Sequence, residues 1–190
     1  RLPAQNDVVI STSIHIARNI TQFPFPTTLS LQDKLRVNTI VKDAASSVTD
    51  YRFNYYEMKM LSQSEVVSLA ERHLVSPEFA SSRDGRALLL TEDEAVSIML
   101  NEEDHIRLQV MYAGFALDEA FRTADRIDTA LNTKLDFAFD DRLGYLSQDP
   151  ASLGTGMKAS VVLHLPGLVT TSQITRLITT VSKLGLILRL

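Results

Sequence analysis

Ala87-Leu-Leu-Leu-Thr-Glu-Asp-Glu-Ala-Val-Ser-Ile-Met-Leu-Asn-Glu-Glu-Asp-His-Ile-Arg-Leu-Gln-Val-Met-Tyr112 holds three short apolar runs, Ala87–Leu90, Ala95–Leu100 and Ile106–Tyr112. Acidic or polar turns part them, the pattern of neighbouring strands. Towards the N-terminus, Val8, Ile10, Thr12, Ile14 and Ile16 alternate with more polar or small residues, which predicts another strand. Phe23-Pro-Phe-Pro26 then breaks regular structure, because proline lacks a donor and restricts the residue before it. A helix is predicted from Leu31 to Ala45 and an aromatic-rich strand from Phe53 to Met58. Ser62-Gln-Ser-Glu65 has capping-box spacing, with Val66, Leu69, Ala70 and His73 following on one helical face.

Towards the C-terminus, Leu117, Ala120, Phe121, Ala124, Ile127 and Leu131 recur at helical spacing. Ala159–Leu165 is read as a strand and Thr170–Lys183 as a helix with Ile174, Leu177, Ile178 and Val181 on one face. Gly185 is placed to close that helix, and Leu186–Leu190 is read as the start of a last strand. Strands outnumber helices without alternating with them, so the fold class is α+β. The expected architecture is a mainly antiparallel sheet flanked by helices, with a small N-terminal helical portion, in one domain over residues 1–190. Beginning at Arg1 rather than Met, the chain reads as a fragment.

Composition narrows the function classes. The 190 residues are 45% hydrophobic, enough for one ordinary core. A net charge of −4 gives no reason to expect nucleic acid or an anionic membrane as partner. Without cysteine there is neither a disulfide framework nor a thiolate metal site. No apolar run reaches the roughly 18–20 residues of a membrane span, and no signal peptide is evident, so a cytoplasmic setting is expected.

Two stretches could carry chemistry. Asn101-Glu-Glu-Asp-His105 gathers three carboxylates and an imidazole at the end of a strand, a set able to hold a cation or act as a general base. Alone it reads first as a solvated acidic turn, and His105 lacks a partner at metal-ligand spacing, so no metal site is expected. Leu153-Gly-Thr-Gly156 is a glycine loop leading into a strand, where backbone amides can cradle an anion or simply make a turn. No Gly-Lys-Ser/Thr ending makes it a Walker loop.

Taken together with their flanks, these blocks resemble the phosphagen (ATP:guanidino) kinases. Asn101 to Arg107 resembles the acidic signature of that family; Gly144-Tyr-Leu, Leu153 to Gly156 and Ala159-Ser-Val resemble its next block. Val8-Val-Ile-Ser and Ala17-Arg-Asn19 resemble its first. His73-Leu-Val-Ser-Pro77, Val96 to Asn101, His164-Leu-Pro166 and Lys183-Leu-Gly185 are similar to the bacterial protein-arginine kinases in particular. The resemblance implies transfer of the ATP γ-phosphoryl group to arginine side chains of proteins, with Mg2+ on the phosphates. It implies protein substrates, with a homodimer or stress-response proteins as further partners. Glu103 then occupies the place of the catalytic carboxylate. Ser11, Thr12, Ser13, Ile14 and His15 form the first phosphate strand, and His73 a nucleotide contact. Arg107 and Arg189 match phosphate-binding arginines, and Lys158, Ala159, Ser160, Val161 and Val162 the nucleotide-binding segment.

The departures point towards impaired chemistry. Where the family reads Ser-Ser-Arg-Ile-Arg this chain has Ser11-Thr-Ser-Ile-His15, so Ser13 and His15 stand in place of arginines. Lys158 keeps a charge but lacks the planar fork of an arginine. Asp149 replaces the cysteine of the family, and the chain stops before the loop bearing a second catalytic glutamate. The alternative reading is a non-catalytic pseudokinase acting as an interaction or regulatory module. A third is an incomplete folding unit with an exposed apolar edge at Leu186–Leu190.

Overall fold

The computed structural model describes residues 8–189. The alternating segment forms β1 (Val9–Arg18), followed by α1 (Leu31–Ser46) and β2 (Phe53–Glu57). The capping box is made: Ser62 and Glu65 exchange side-chain and backbone hydrogen bonds at the start of α2 (Gln63–Glu71). A five-residue helix, α3 (Pro77–Ser81), is too short for its periodicity to show in sequence. The three apolar runs are β3 (Ala87–Thr91), β4 (Val96–Leu100) and β5 (Ile106–Ala113). Then come α4 (Leu117–Asn132), a small hairpin of β6 (Phe139–Asp140) and β7 (Gly144–Tyr145), β8 (Met157–Leu163), α5 (Pro166–Thr170) and α6 (Ile174–Ser182).

Six strands make one sheet in the order β2-β3-β4-β5-β1-β8, antiparallel throughout. Every residue of β3 and β4 is buried, which is why these strands read as continuous apolar runs. β1 alternates instead: Thr12, Ile14 and Ile16 are buried, while Ser11, Ser13 and His15 are half-exposed on the other face. The buried face packs with Val37 and Val41 of α1 and Ala120, Ala124, Ile127 and Leu131 of α4. Each valine, isoleucine or leucine among them contributes roughly 1.5–3 kcal/mol on burial, so α1 shares the main core.

The opposite face is covered over only part of its width. Val66, Leu69 and Phe79 of α2 and α3 pack on Leu88, Leu90 and Met99 of β3 and β4. Register carries that face outward: Met99 lies beside Arg107, Ser97 beside Gln109, Gln109 beside His15 and Met111 beside Ser13. Over β1 and β8 it is more open among the described residues: Ser11, Ser13 and His15 are half-exposed, and Lys158, Ser160 and Val162 are exposed.

Several sequence expectations are corrected. His73 is not on the helix: α2 ends at Glu71, and His73 stands in the left-handed region at φ 59° with its side chain exposed. Phe121 is 43% exposed and does not belong to the buried face of α4. The helix expected over 170–183 is formed only as α6 (Ile174–Ser182); α5 ends at Thr170, with Ser172 at φ 56° between them. Thr170 and Thr171 turn their hydroxyls back onto Pro166 O and Gly167 O, competing with helix propagation. Gly185 does close α6, at φ 78°, with the Leu186 N–H reaching Val181 O. Residues 186–189 have no regular structure, so the last strand is not formed there; Leu190 lies outside the described residues. No helix among the described residues is long and apolar enough to cross a membrane.

Candidate active site

A cavity opens on the uncovered part of the sheet, lined by His15, Glu103, Asp104, Arg107, Ser152 and Lys158. His15 sits between Gln109 of β5 and Lys158 of β8, and Ser13 between Met111 and Ser160. The sheet register therefore assembles residues more than ninety positions apart in sequence.

The acidic run is a scaffold holding up one carboxylate. Asn101, at φ 61°, donates from its side chain to Lys34 O, Asn38 Oδ1 and Gly85 O at 2.9–3.1 Å. Glu102 accepts from Ser76 and, at 2.8 Å, from Arg107 Nη1. Asp104 accepts from Asn19 Nδ2 at 2.5 Å, Ser147 Oγ at 2.9 Å and the Gln148 N–H at 3.1 Å. His105 is fully buried; its Nδ1 accepts the Ile20 N–H at 3.0 Å, which leaves Nε2–H to donate to Pro24 O at 2.9 Å. Four of the five residues are thus buried and tied, and Glu103 alone is exposed at the mouth of the cavity.

The glycine loop closes the other side. Gly156 is at φ 63°, and a Cβ there would stand 2.5 Å from Arg18 Nη1 and 2.7 Å from Ala17 O, so only glycine fits. Just upstream, Asp149 caps the turn Pro150–Ser152, accepting the Ala151 N–H at 3.0 Å and the Ser152 hydroxyl at 3.1 Å.

Of the other residues singled out from sequence, Thr12 and Ile14 face the core and not the cavity. Thr12 Oγ1 donates to Gly114 O at 2.6 Å and accepts the Ala116 N–H at 3.1 Å, securing the start of α4. Ala159 and Val161 share that inward parity on β8, whereas Lys158, Ser160 and Val162 stand opposite His15, Ser13 and Ser11. Ser11 lines a neighbouring hollow with Arg72, Leu74, Met111 and Tyr112. His73 is held close to this face through its carbonyl, which accepts from Gln109 Nε2 at 2.7 Å. Arg189 is exposed beyond α6 and does not line the cavity.

Residues 36–189 match the model of the ATP:guanido phosphotransferase C-terminal catalytic domain. The chain belongs to the ATP:guanido phosphotransferase family. Within it, the chain is 42% identical over 185 residues to a protein-arginine kinase of Halothermothrix orenii, covering 97% of this chain and 53% of that protein. It is 43% identical over 187 residues to one from Brevibacillus brevis, covering 97% and 52%. It thus spans about half the length of these curated relatives. Among solved structures, the substrate-free duplicated taurocyamine kinase of Schistosoma mansoni superposes with a TM-score of 0.78 at 25% identity, over 86% of this chain and 25% of that one.

For a phosphotransferase family that handles ATP, the cavity is poor in free positive charge. Arg107 is committed to Glu102, whose side chain is 3% exposed, and Lys158 Nζ lies 3.1 Å from Asp149 Oδ2. His15 adds nothing. Burial first, then the charges of Arg107 and Lys158, push its pKa from 6.5 down to about 4. The ring therefore stays neutral down to about pH 4. Its Nδ1 is buried with no hydrogen-bond partner, while Nε2 meets Ser13 Oγ at 3.2 Å.

A pH signature follows. The folded pKa of His15 lies below its unfolded value, so as pH falls the unfolded chain takes up the proton first. The stability associated with neutral His15 is complete above about pH 6.5 and is lost as pH falls towards about 4. His105, also lowered by burial, gives a slope of the same sign, so the test is a difference between variants. Urea unfolding of the parent is expected to lose on the order of 2 kcal/mol more than His15→Gln between pH 7 and 4.5. Parallel pH profiles for the two proteins contradict the assignment.

Proposed function

We propose that this chain is catalytic-domain sequence of a guanidino phosphotransferase of the protein-arginine kinase type, which moves the ATP γ-phosphoryl group to arginine side chains of proteins. The observation that carries the reading is Glu103, the one exposed carboxylate on an otherwise buried loop, at a cavity shared with Arg107 and Lys158. In this role Glu103 orients the acceptor guanidinium and helps remove its proton. Arg107 and Lys158 meet the phosphates, and positioning with charge neutralisation supplies most of the catalysis. The names of the relatives support a protein arginine as acceptor. Magnesium is taken to arrive on the nucleotide phosphates, as the resemblance implies. A cytoplasmic setting, a homodimer and stress-response partners go with the same reading and rest on the resemblance.

The paired state of Arg107 and Lys158 favours a second reading, a non-catalytic relative acting as an interaction or regulatory module. Phosphoarginine formation on an arginine-rich protein, followed with Mg-ATP, separates the two. Transfer by the parent that falls roughly 10²–10⁴-fold in Glu103→Gln supports the kinase and the role of Glu103. Transfer unchanged by that substitution removes Glu103 from the chemistry. If Mg-ATP binds but no phosphoarginine forms, the second reading stands.

A further inference from the structure

Asp149 is held independently of the cation it contacts. Its Oδ1 accepts the Ala151 N–H at 3.0 Å and its Oδ2 the Ser152 hydroxyl at 3.1 Å, as the cap of the turn Pro150–Ser152. Its own N–H donates to Ser147 Oγ at 3.2 Å, and Ser147 Oγ donates to Asp104 Oδ2 at 2.9 Å. The carboxylate is thereby fixed to the same network that positions the Glu103 loop. Lys158 comes to it from β8 on a flexible stem, reaching Oδ2 at 3.1 Å. Of the two formal cations lining the cavity, Lys158 is the one whose partner is only half-buried; the partner of Arg107 is buried and anchored by Ser76. An anion arriving at Lys158 must displace a carboxylate held by the Ala151 N–H and the Ser152 hydroxyl, or share the lysine with a like charge beside it.

We propose that Asp149 is a specificity-determining counter-ion: it occupies Lys158 in place of an anionic ligand and holds down the affinity of the cavity for polyphosphates. The proposal rests on the reading of this cavity as the phosphate site. It differs from loss of arginines alone in locating a negative determinant, one whose removal improves binding. The lock works through Lys158, so the effect of Asp149 disappears when Lys158 is neutral. As an exposed pair it weakens with salt.

The test is calorimetric titration of inorganic tripolyphosphate and of Mg-ATP into the parent, Asp149→Asn, Lys158→Gln and the double variant. Asparagine keeps the acceptor for Ala151 N–H; Asp149→Ser, which also caps, serves as the second variant if thermal unfolding shows the first to be misfolded. Asp149→Asn is expected to bind tripolyphosphate on the order of tenfold more tightly at low salt, with the gain shrinking at high salt. The gain is expected to vanish in the Lys158→Gln background. Parent and Asp149→Asn binding equally well overturns the lock and leaves the phosphate site standing. A gain that survives Lys158→Gln overturns it as well, since the lysine is then not the route. Failure of every variant to bind either anion overturns both the lock and the site beneath it.

Discussion

Arg18→Ala is expected to lower the unfolding free energy by about 3–5 kcal/mol, the range for removing one partner of a buried ion pair. The Arg18 and Asp128 side chains are 6% and 14% exposed and meet at 2.7 Å. The guanidinium also donates to Ala17 O at 2.8 Å and Thr155 O at 2.9 Å, and lies 3.5 Å from the centroid of the Tyr145 ring. One side chain thus joins the end of β1, the last turns of α4, the hairpin and the glycine loop. Burial raises the pKa of Asp128 in spite of the arginine beside it, so the carboxylate is costly to keep ionised even when paired. Without Arg18 it is buried and unpaired. Urea unfolding of Arg18→Ala, Asp128→Leu and the pair Arg18→Met/Asp128→Leu tests the account. The double replacement is expected to recover most of the loss, because an apolar pair of similar volume avoids the desolvation penalty. A cost below about 1 kcal/mol for Arg18→Ala contradicts a buried role and fits an exposed pair.

The same residue shows what the sequence does and does not disclose. On β1 from Ser11 onward the buried positions are Thr12, Ile14 and Ile16, and Arg18 continues that parity. A charged residue on the buried side of an alternating strand already announces a buried partner; its identity as Asp128 comes only from how α4 crosses the sheet. The sheet itself was readable, because continuous burial on β3 and β4 and alternation on β1 are local patterns. The acidic run was not, since its residues take their roles from Ser76, Asn19 and Ser147, each remote in the chain. Three like carboxylates in sequence become two buried tethers and one exposed group in space. Periodicity also overran at α6, whose apolar residues Ile174, Leu177, Ile178 and Val181 are amphipathic in pattern yet none is buried. Pattern reports what a face could bury; packing decides whether it does.

Ser13→Arg/His15→Arg is the substitution with the largest expected gain. Both positions lie on the open face of β1, two residues apart and so roughly 7 Å from each other. Their neighbours are Ser160 and Met111 for position 13, Lys158 and Gln109 for position 15. Serine and a neutral imidazole leave that face with no positive charge of its own, while Glu103 lies at its rim and Arg107 and Lys158 are each matched by a carboxylate. Two guanidinium groups here reverse the local balance, and each charge-assisted hydrogen bond to a phosphate is worth about 1.5–3 kcal/mol. Together they are expected to tighten Mg-ATP by about 3–6 kcal/mol, roughly a hundredfold to ten-thousandfold. The gain has a cost in the free protein, where the two arginines, Arg107 and Lys158 crowd one face. Without ligand the variant is expected to unfold at lower temperature than the parent, most clearly at low salt, and Mg-ATP is expected to more than restore it. Calorimetric titration with thermal unfolding reads both effects. Tight binding by the variant and weak binding by the parent locate the phosphate site on β1 and attribute its weakness to two side chains. Equal binding by both proteins places the phosphates elsewhere on the sheet, and the roles given to Ser13 and His15 fall with it.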